Sequence, residues 1–173
     1  MSSQQDTIVQ EELSTAHTAF ENHGWMGVRA RLWAAGLHGA EALPSPVDFC
    51  FGQGGRVVAL LQPPHLQALG FAGMTVAGCL LPDPPASIWA VDLCSTERSA
   101  AELLEAALVA ALAGHDAVVL DRFGLWVRGD NWQALQRRVA EVEHAAQVTL
   151  LSQQATRTPA PEERVARFIA GLS

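Results

Sequence analysis

The chain has 173 residues, 49% of them hydrophobic, and a formal net charge of -7 at neutral pH. That length and apolar content suit one globular domain with a real core, and the absence of any basic run removes the clustered cations that nucleic acid requires. All 11 basic residues are Arg, and Lys and Tyr are both absent, which excludes a lysine Schiff base, a P-loop lysine and a tyrosine general acid.

Met1 to Thr7 is polar and is expected to form a flexible terminus before a domain spanning residues 8–154. Ile8 to Asn22 reads as a helix with Val9, Leu13, Ala16, Ala19 and Phe20 on its apolar stripe, closed by His23-Gly24. Trp25 to Ala35 fits a strand or a second helix. Gly36 to Pro46 is loop-like and carries His38 and Glu41, residue types that are more often solvated than functional in such a setting. Phe49-Cys50-Phe51 is a short strand candidate, followed by the turn Gly52 to Gly55. That turn leads into a strand and not a helix, so it is no phosphate loop. Arg56 to Leu61 and Ile88 to Leu93 read as buried strands, separated by the Gly/Pro-rich stretch Gly70 to Pro85.

Ser95 or Thr96 opens a helix whose buried side carries Leu104, Ala107, Leu108, Ala111 and Leu112, with Gly114 ending it. Ala117 to Leu120 is a strand, Asp121-Arg122 a break, and Phe123 to Val127 a second strand. After the turn at Gly129-Asp130-Asn131 the period changes. Leu135, Val139, Val142, Ala146 and Leu150 mark an amphipathic helix from Trp132 to Gln154. Residues 155–173 read as a linker and a C-terminal helix from Pro161, with Phe168 and Ile169 on a small apolar face. Alternating helices and strands indicate a layered α/β domain. A doubly wound nucleotide-binding fold is the alternative, weakened because no Gly-rich strand-to-helix turn is present.

Cys50, Cys79 and Cys94 are odd in number and lack a CxxC, as expected of buried thiols in a reducing compartment. With no signal-like N-terminus and no clean apolar span, the expectation is a cytoplasmic protein with no membrane partner.

Two segments carry a resemblance to a known family. The first is Arg122-Phe123-Gly124 between two apolar strands, followed by Gly129 and a helix ending Glu143-His144-Ala145-Ala146. The second is Leu60-Leu61-Gln62-Pro63-Pro64, with Ala68-Leu69 following. Both resemble the class II aldolase/adducin family, whose members read Asn-His-Gly at the first place and His-x-His-x-Pro at the second. The likeness runs from Leu13 to Leu151 and implies helices packed on a central, mixed, partly antiparallel sheet.

It also implies three metal-binding histidines, and this chain has Leu60, Gln62 and Phe123 at those positions. The family's phosphate loop, roughly Gly-Asn-x-Ser-x-Arg, corresponds to Gly27-Val28-Arg29-Ala30-Arg31, which lacks the Asn and the Ser. Arg29 and Arg31 remain as anion partners or as charges on an exposed edge. The reading that follows is a non-catalytic relative without metal or other cofactor, acting as a self-associating assembly or as a binding module for a small anionic ligand. Trp25, Trp33 and the Phe168/Ile169 face are the apolar residues expected at a subunit interface. Leu60 and Phe123 are expected to plug the former metal position. The alternative is a sugar-phosphate aldolase or epimerase with a metal site rebuilt from His38, Glu41, His65 and Asp121.

Overall fold

The computed structural model describes residues 2–37, 42–77, 80–88 and 97–157. Helix α1 spans Ser2–Asn22. It begins ahead of Ile8 because extending a formed helix costs far less than nucleating one. Its inward stripe is the expected one: Ala16 and Phe20 are buried, and Val9, Leu13 and Ala19 are half-buried. Gly24, at φ 71, closes the helix. Its N–H donates to the Glu21 carbonyl and that of Trp25 to the Phe20 carbonyl, both at 2.9 Å. This is a Schellman turn with its usual apolar contact, since the Phe20 and Trp25 rings lie 5.9 Å apart.

Trp25 is therefore a core residue, 5% exposed. Trp33 stacks on Trp126 at 5.5 Å. The expectation that Trp25 is left over for a subunit interface is corrected, since it completes the core of this chain, whereas Trp33 stays half-buried beside Trp126. Phe168 and Ile169 lie outside the described residues, as does the C-terminal helix from Pro161.

The ambiguous stretch from Trp25 to Ala35 forms a loop and then the short strand β1, Arg31–Ala34. Phe49-Cys50-Phe51, expected as a strand, belongs instead to helix α2, Ser45–Gly52. A three-residue apolar run cannot set a period. The deciding features flank it: Pro46 in the first turn and a Schellman end in which Gly55 donates to the Cys50 carbonyl at 3.0 Å. Strand β2 is Val57–Leu61, and α3, Pro64–Phe71, follows at once. Strand β3, Ala86–Ile88, shares only Ile88 with the strand expected at Ile88 to Leu93, whose residues 89–93 lie outside the described residues. The remaining elements are α4 (Glu97–Gly114), β4 (Ala117–Leu120), β5 (Gly124–Gly129) and α5 (Trp132–Arg157). On α4 the predicted inward residue Ala107 is exposed, and Leu108 and Leu112 carry the burial. Asn131 caps α5, its Oδ1 accepting from the Ala134 N–H at 2.8 Å.

The sheet order is β1-β2-β5-β4-β3. Every pairing is antiparallel except β3 with β4. The tight β4–β5 connection forces an antiparallel pair, and the crossover through α4 permits the parallel one. This is the mixed α/β architecture expected, and the doubly wound alternative, mostly parallel, does not fit it. Side chains alternate between the two faces. Val57, Ala59, Leu61, Leu125 and Val127 join one core with residues of α1, α3 and α5. Val58, Val118, Leu120 and Trp126 join another with residues of α2 and α4.

Cys50 is fully buried, and burial pushes its thiol up to about 11, so it is an inert core group. Cys79 and Cys94 lie outside the described residues. Among the described residues no helix is long and apolar enough to cross a membrane.

Candidate functional site

The end of β2, the turn between β4 and β5 and the loop before β1 meet at one place. Gln62, one residue past β2, holds them together. Its Nε2 donates to the Phe123 carbonyl at 3.3 Å, and its Oε1 accepts the Arg29 N–H at 3.0 Å. Its own N–H donates to the Trp25 carbonyl at 2.8 Å. The side chain lies so close to Gly27 that a Cβ there would collide with its amide. Gly27 is thus the residue that admits the Gln62 lock. The Arg29 guanidinium sits over the Phe123 ring, 4.6 Å from its centroid. Leu60, Gln62 and Phe123, far apart in sequence, are therefore neighbours in space.

Leu60 and Phe123 are half-buried and both pack against the core of Leu108, Leu120 and Trp126. They are two walls of a hollow of about 280 Å³ on the α2/α4 side of the sheet, completed by Leu104, Leu108, Leu120 and Trp126. Arg29 and Glu105 stand at its rim. Glu105 is already engaged: its Oε1 accepts the Ser45 N–H at 3.1 Å, satisfying the first turn of α2. Zinc takes imidazole, thiolate or carboxylate ligands. Leu60 and Phe123 have no donor atom, and the Gln62 amide is used at both ends by backbone groups. As they stand, these three side chains do not fit a divalent metal.

The other candidates are dispersed. His65, in the first turn of α3, is held by Glu143 of α5, to which its ring Nδ1 donates at 2.7 Å. The same carboxylate accepts the His65 and Leu66 N–H groups at 2.9 and 3.1 Å. Asp121 lies near the other end of α3, 2.7 Å from where a Cβ on Gly70 would stand. It is 7% exposed, and its Oδ2, 3.6 Å from Arg122 Nε, has no hydrogen-bond partner among the described residues. Beside it is a cavity of about 20 Å³, room for roughly one water molecule. Arg31 is exposed on the edge strand β1, with its guanidinium turned back to the Ala30 carbonyl at 2.7 Å. His38 and Glu41 lie outside the described residues. Among the described residues no three His, Cys, Asp or Glu side chains form a group able to hold a metal ion.

The sequence reading missed Gly27, the Gln62 lock and the two glutamate caps. Gly27 left a signal, since an isolated Gly in an apolar stretch marks a close approach. The caps left none, because Glu105 and Glu143 act on backbone groups far away in sequence.

No family model and no curated protein matches the sequence. Solved structures with a similar arrangement of elements include L-fuculose-1-phosphate aldolase from Thermus thermophilus, at 19% identity over 68% of this chain and 65% of that chain, with TM-score 0.48. An L-fuculose 1-phosphate aldolase from Glaciozyma antarctica is 19% identical over 69% of this chain and 45% of that one, with TM-score 0.43. An aldolase II superfamily protein from Pseudomonas syringae is 17% identical over 77% and 56%, with TM-score 0.46. The chain thus spans between 45% and 65% of the length of these proteins. Likeness at this level assigns neither substrate nor activity.

Proposed function

We propose that this chain is a non-catalytic relative of the class II aldolase/adducin family that serves as a small-molecule binding module. The observation that carries the reading is the Gln62 lock. At the place where the resemblance implies a metal, an amide ties the Arg29 loop to the Phe123 turn and its neighbours Leu60 and Phe123 wall an apolar hollow. Enolate chemistry needs a Lewis acid or an equivalent for the developing charge. A general base acting alone supplies about 10²–10⁴-fold, too little for that step. The buried Cys50 thiol suits a reducing cytoplasm.

Self-association belongs to the same reading and rests on the exposed apolar side chains of Phe71 and Leu103. Sedimentation as a monomer at micromolar concentration would remove it.

The test of the main reading is a retro-aldol assay on phosphorylated ketoses and aldoses, with zinc, manganese or cobalt supplied. Wild type and Phe123→His are both expected to give no turnover above the blank. Phe123→His is expected to lose about 1–2 kcal/mol of stability, since half of an apolar ring contact goes, and to gain no tight zinc site. Metal-dependent turnover abolished by His65→Ala or Glu41→Ala would overturn the reading in favour of an aldolase or epimerase with a rebuilt site.

A further inference from the structure

We propose that the hollow beside Phe123 binds a small organic monoanion with an apolar body, an aryl or alkyl carboxylate, whose carboxylate pairs with Arg29. The proposal rests on the binding-module reading and specifies its ligand. Three observations carry it. The first is the lining: Leu60, Leu104, Leu108, Leu120, Phe123 and Trp126 offer hydrocarbon and aromatic faces. A polyol there would lose water from its hydroxyls without gaining partners, which is costly. A sugar is therefore a poor guest and a hydrocarbon a good one.

The second observation is the size. At about 280 Å³ the hollow lies just below the usual range of small-molecule pockets, which suits one ring or a short chain. The third is the charge at the rim. The rim carries one cation, Arg29, and one carboxylate, Glu105, which keeps its negative charge but holds it against the N-terminus of α2 through the Ser45 N–H. The central carbon of the Arg29 guanidinium lies over the Phe123 ring, 4.6 Å from its centroid. Its side chain makes no ion pair among the described residues, and a guanidinium matches a carboxylate with two parallel hydrogen bonds. One arginine balances one negative charge. A phosphate monoester carries nearly two and more acceptor oxygens, and the apolar walls leave those without donors.

The experiment is titration calorimetry of the full chain with 3-phenylpropionate, 3-phenylpropanol and phenyl phosphate, repeated on Arg29→Gln and on Leu104→Trp. Leu104 is half-buried at the lip of the hollow, so a tryptophan there fills it from the outside, and equal thermal melting of the variants checks that each folds. The acid is expected to bind wild type saturably, about tenfold tighter than the alcohol and than phenyl phosphate, a difference of about 1.4 kcal/mol. Arg29→Gln is expected to remove that tenfold advantage, and Leu104→Trp to abolish binding of all three. Equal affinity for acid and alcohol, no effect of Arg29→Gln, or preference for the phosphate would overturn the assigned ligand class. Absence of saturable binding would overturn the site itself. None of these results resembles metal-dependent aldol turnover, the result that would sink the binding-module reading.

Discussion

Gly124→Ala is expected to lower the free energy of unfolding by about 3–4 kcal/mol. Gly124 opens β5, the strand at the centre of the sheet, with φ 149. Side chains rarely adopt that value, and forcing one there costs roughly 1–3 kcal/mol. A Cβ would also collide with the Leu61 carbonyl oxygen and lie 3.1 Å from Leu60 Cδ1. The backbone has no room to retreat. Leu61 is fully buried and paired with Leu125, and Gly124 itself is paired with Leu120 on the other side. The added methyl must therefore open the β2–β5 pairing next to the Gln62 lock. Gly52, where an added methyl would meet nothing within 4 Å and φ is ordinary, is the control, expected to tolerate alanine within about 0.5 kcal/mol. Urea denaturation measures both, and a loss below about 1 kcal/mol at Gly124 would show that the sheet yields more easily than its pairing implies.

The same residues show what the amino-acid sequence discloses and where it is silent. Strands β2, β4 and β5 are apolar runs bounded by Gly, Pro or Asp, and α5 has a stripe repeating at three and four residues. Such elements carry their own signal because burial on one or both faces dictates residue type along their whole length. Phe49-Cys50-Phe51 has no such length, and its helix is decided by Pro46 before it and Gly54-Gly55 after it. The neighbourhood of Leu60, Gln62 and Phe123 is legible through the resemblance, as a set of positions. What those side chains do there is not. A plug and a hollow have the same composition, and only the distance between walls separates them. That Gln62 is a poor metal ligand follows from its type, whereas its hydrogen bonds to backbone groups of residues 29 and 123 depend on chain geometry. The backbone of Arg122, at φ 60, is likewise not announced by its residue type, since Asn and Asp tolerate this region better than Arg.

Glu143→Ala is expected to cost about 3 kcal/mol, from the loss of three hydrogen bonds to one ionisable group. Helix α3 makes the reason countable. A helix leaves its first N–H groups without intrahelical partners. Pro63, at the N-cap, supplies no side-chain cap, and Pro64 has no N–H to satisfy. The Gln67 N–H donates to the Pro63 carbonyl at 3.0 Å, the first bond of the helix proper. That leaves His65 and Leu66, and the Glu143 carboxylate takes both, one oxygen each. A negative group at a helix N-terminus is also favoured by the aligned peptide dipoles. The side chain of Glu143 is only 12% exposed, so solvent replaces it poorly in the alanine variant. Glu143→Gln keeps one acceptor and loses the charge, and is expected to cost about 1 kcal/mol. His65→Ala removes only the bond made by a ring whose side chain is 42% exposed, and is expected to cost less than about 1 kcal/mol. The order Glu143→Ala, then Glu143→Gln, then His65→Ala in denaturant midpoints distinguishes a helix cap from a functional His–Glu pair. If His65→Ala destabilised as much as Glu143→Ala, the ring and not the two backbone N–H groups would be the partner that matters, and the cap would be the lesser part of the contact.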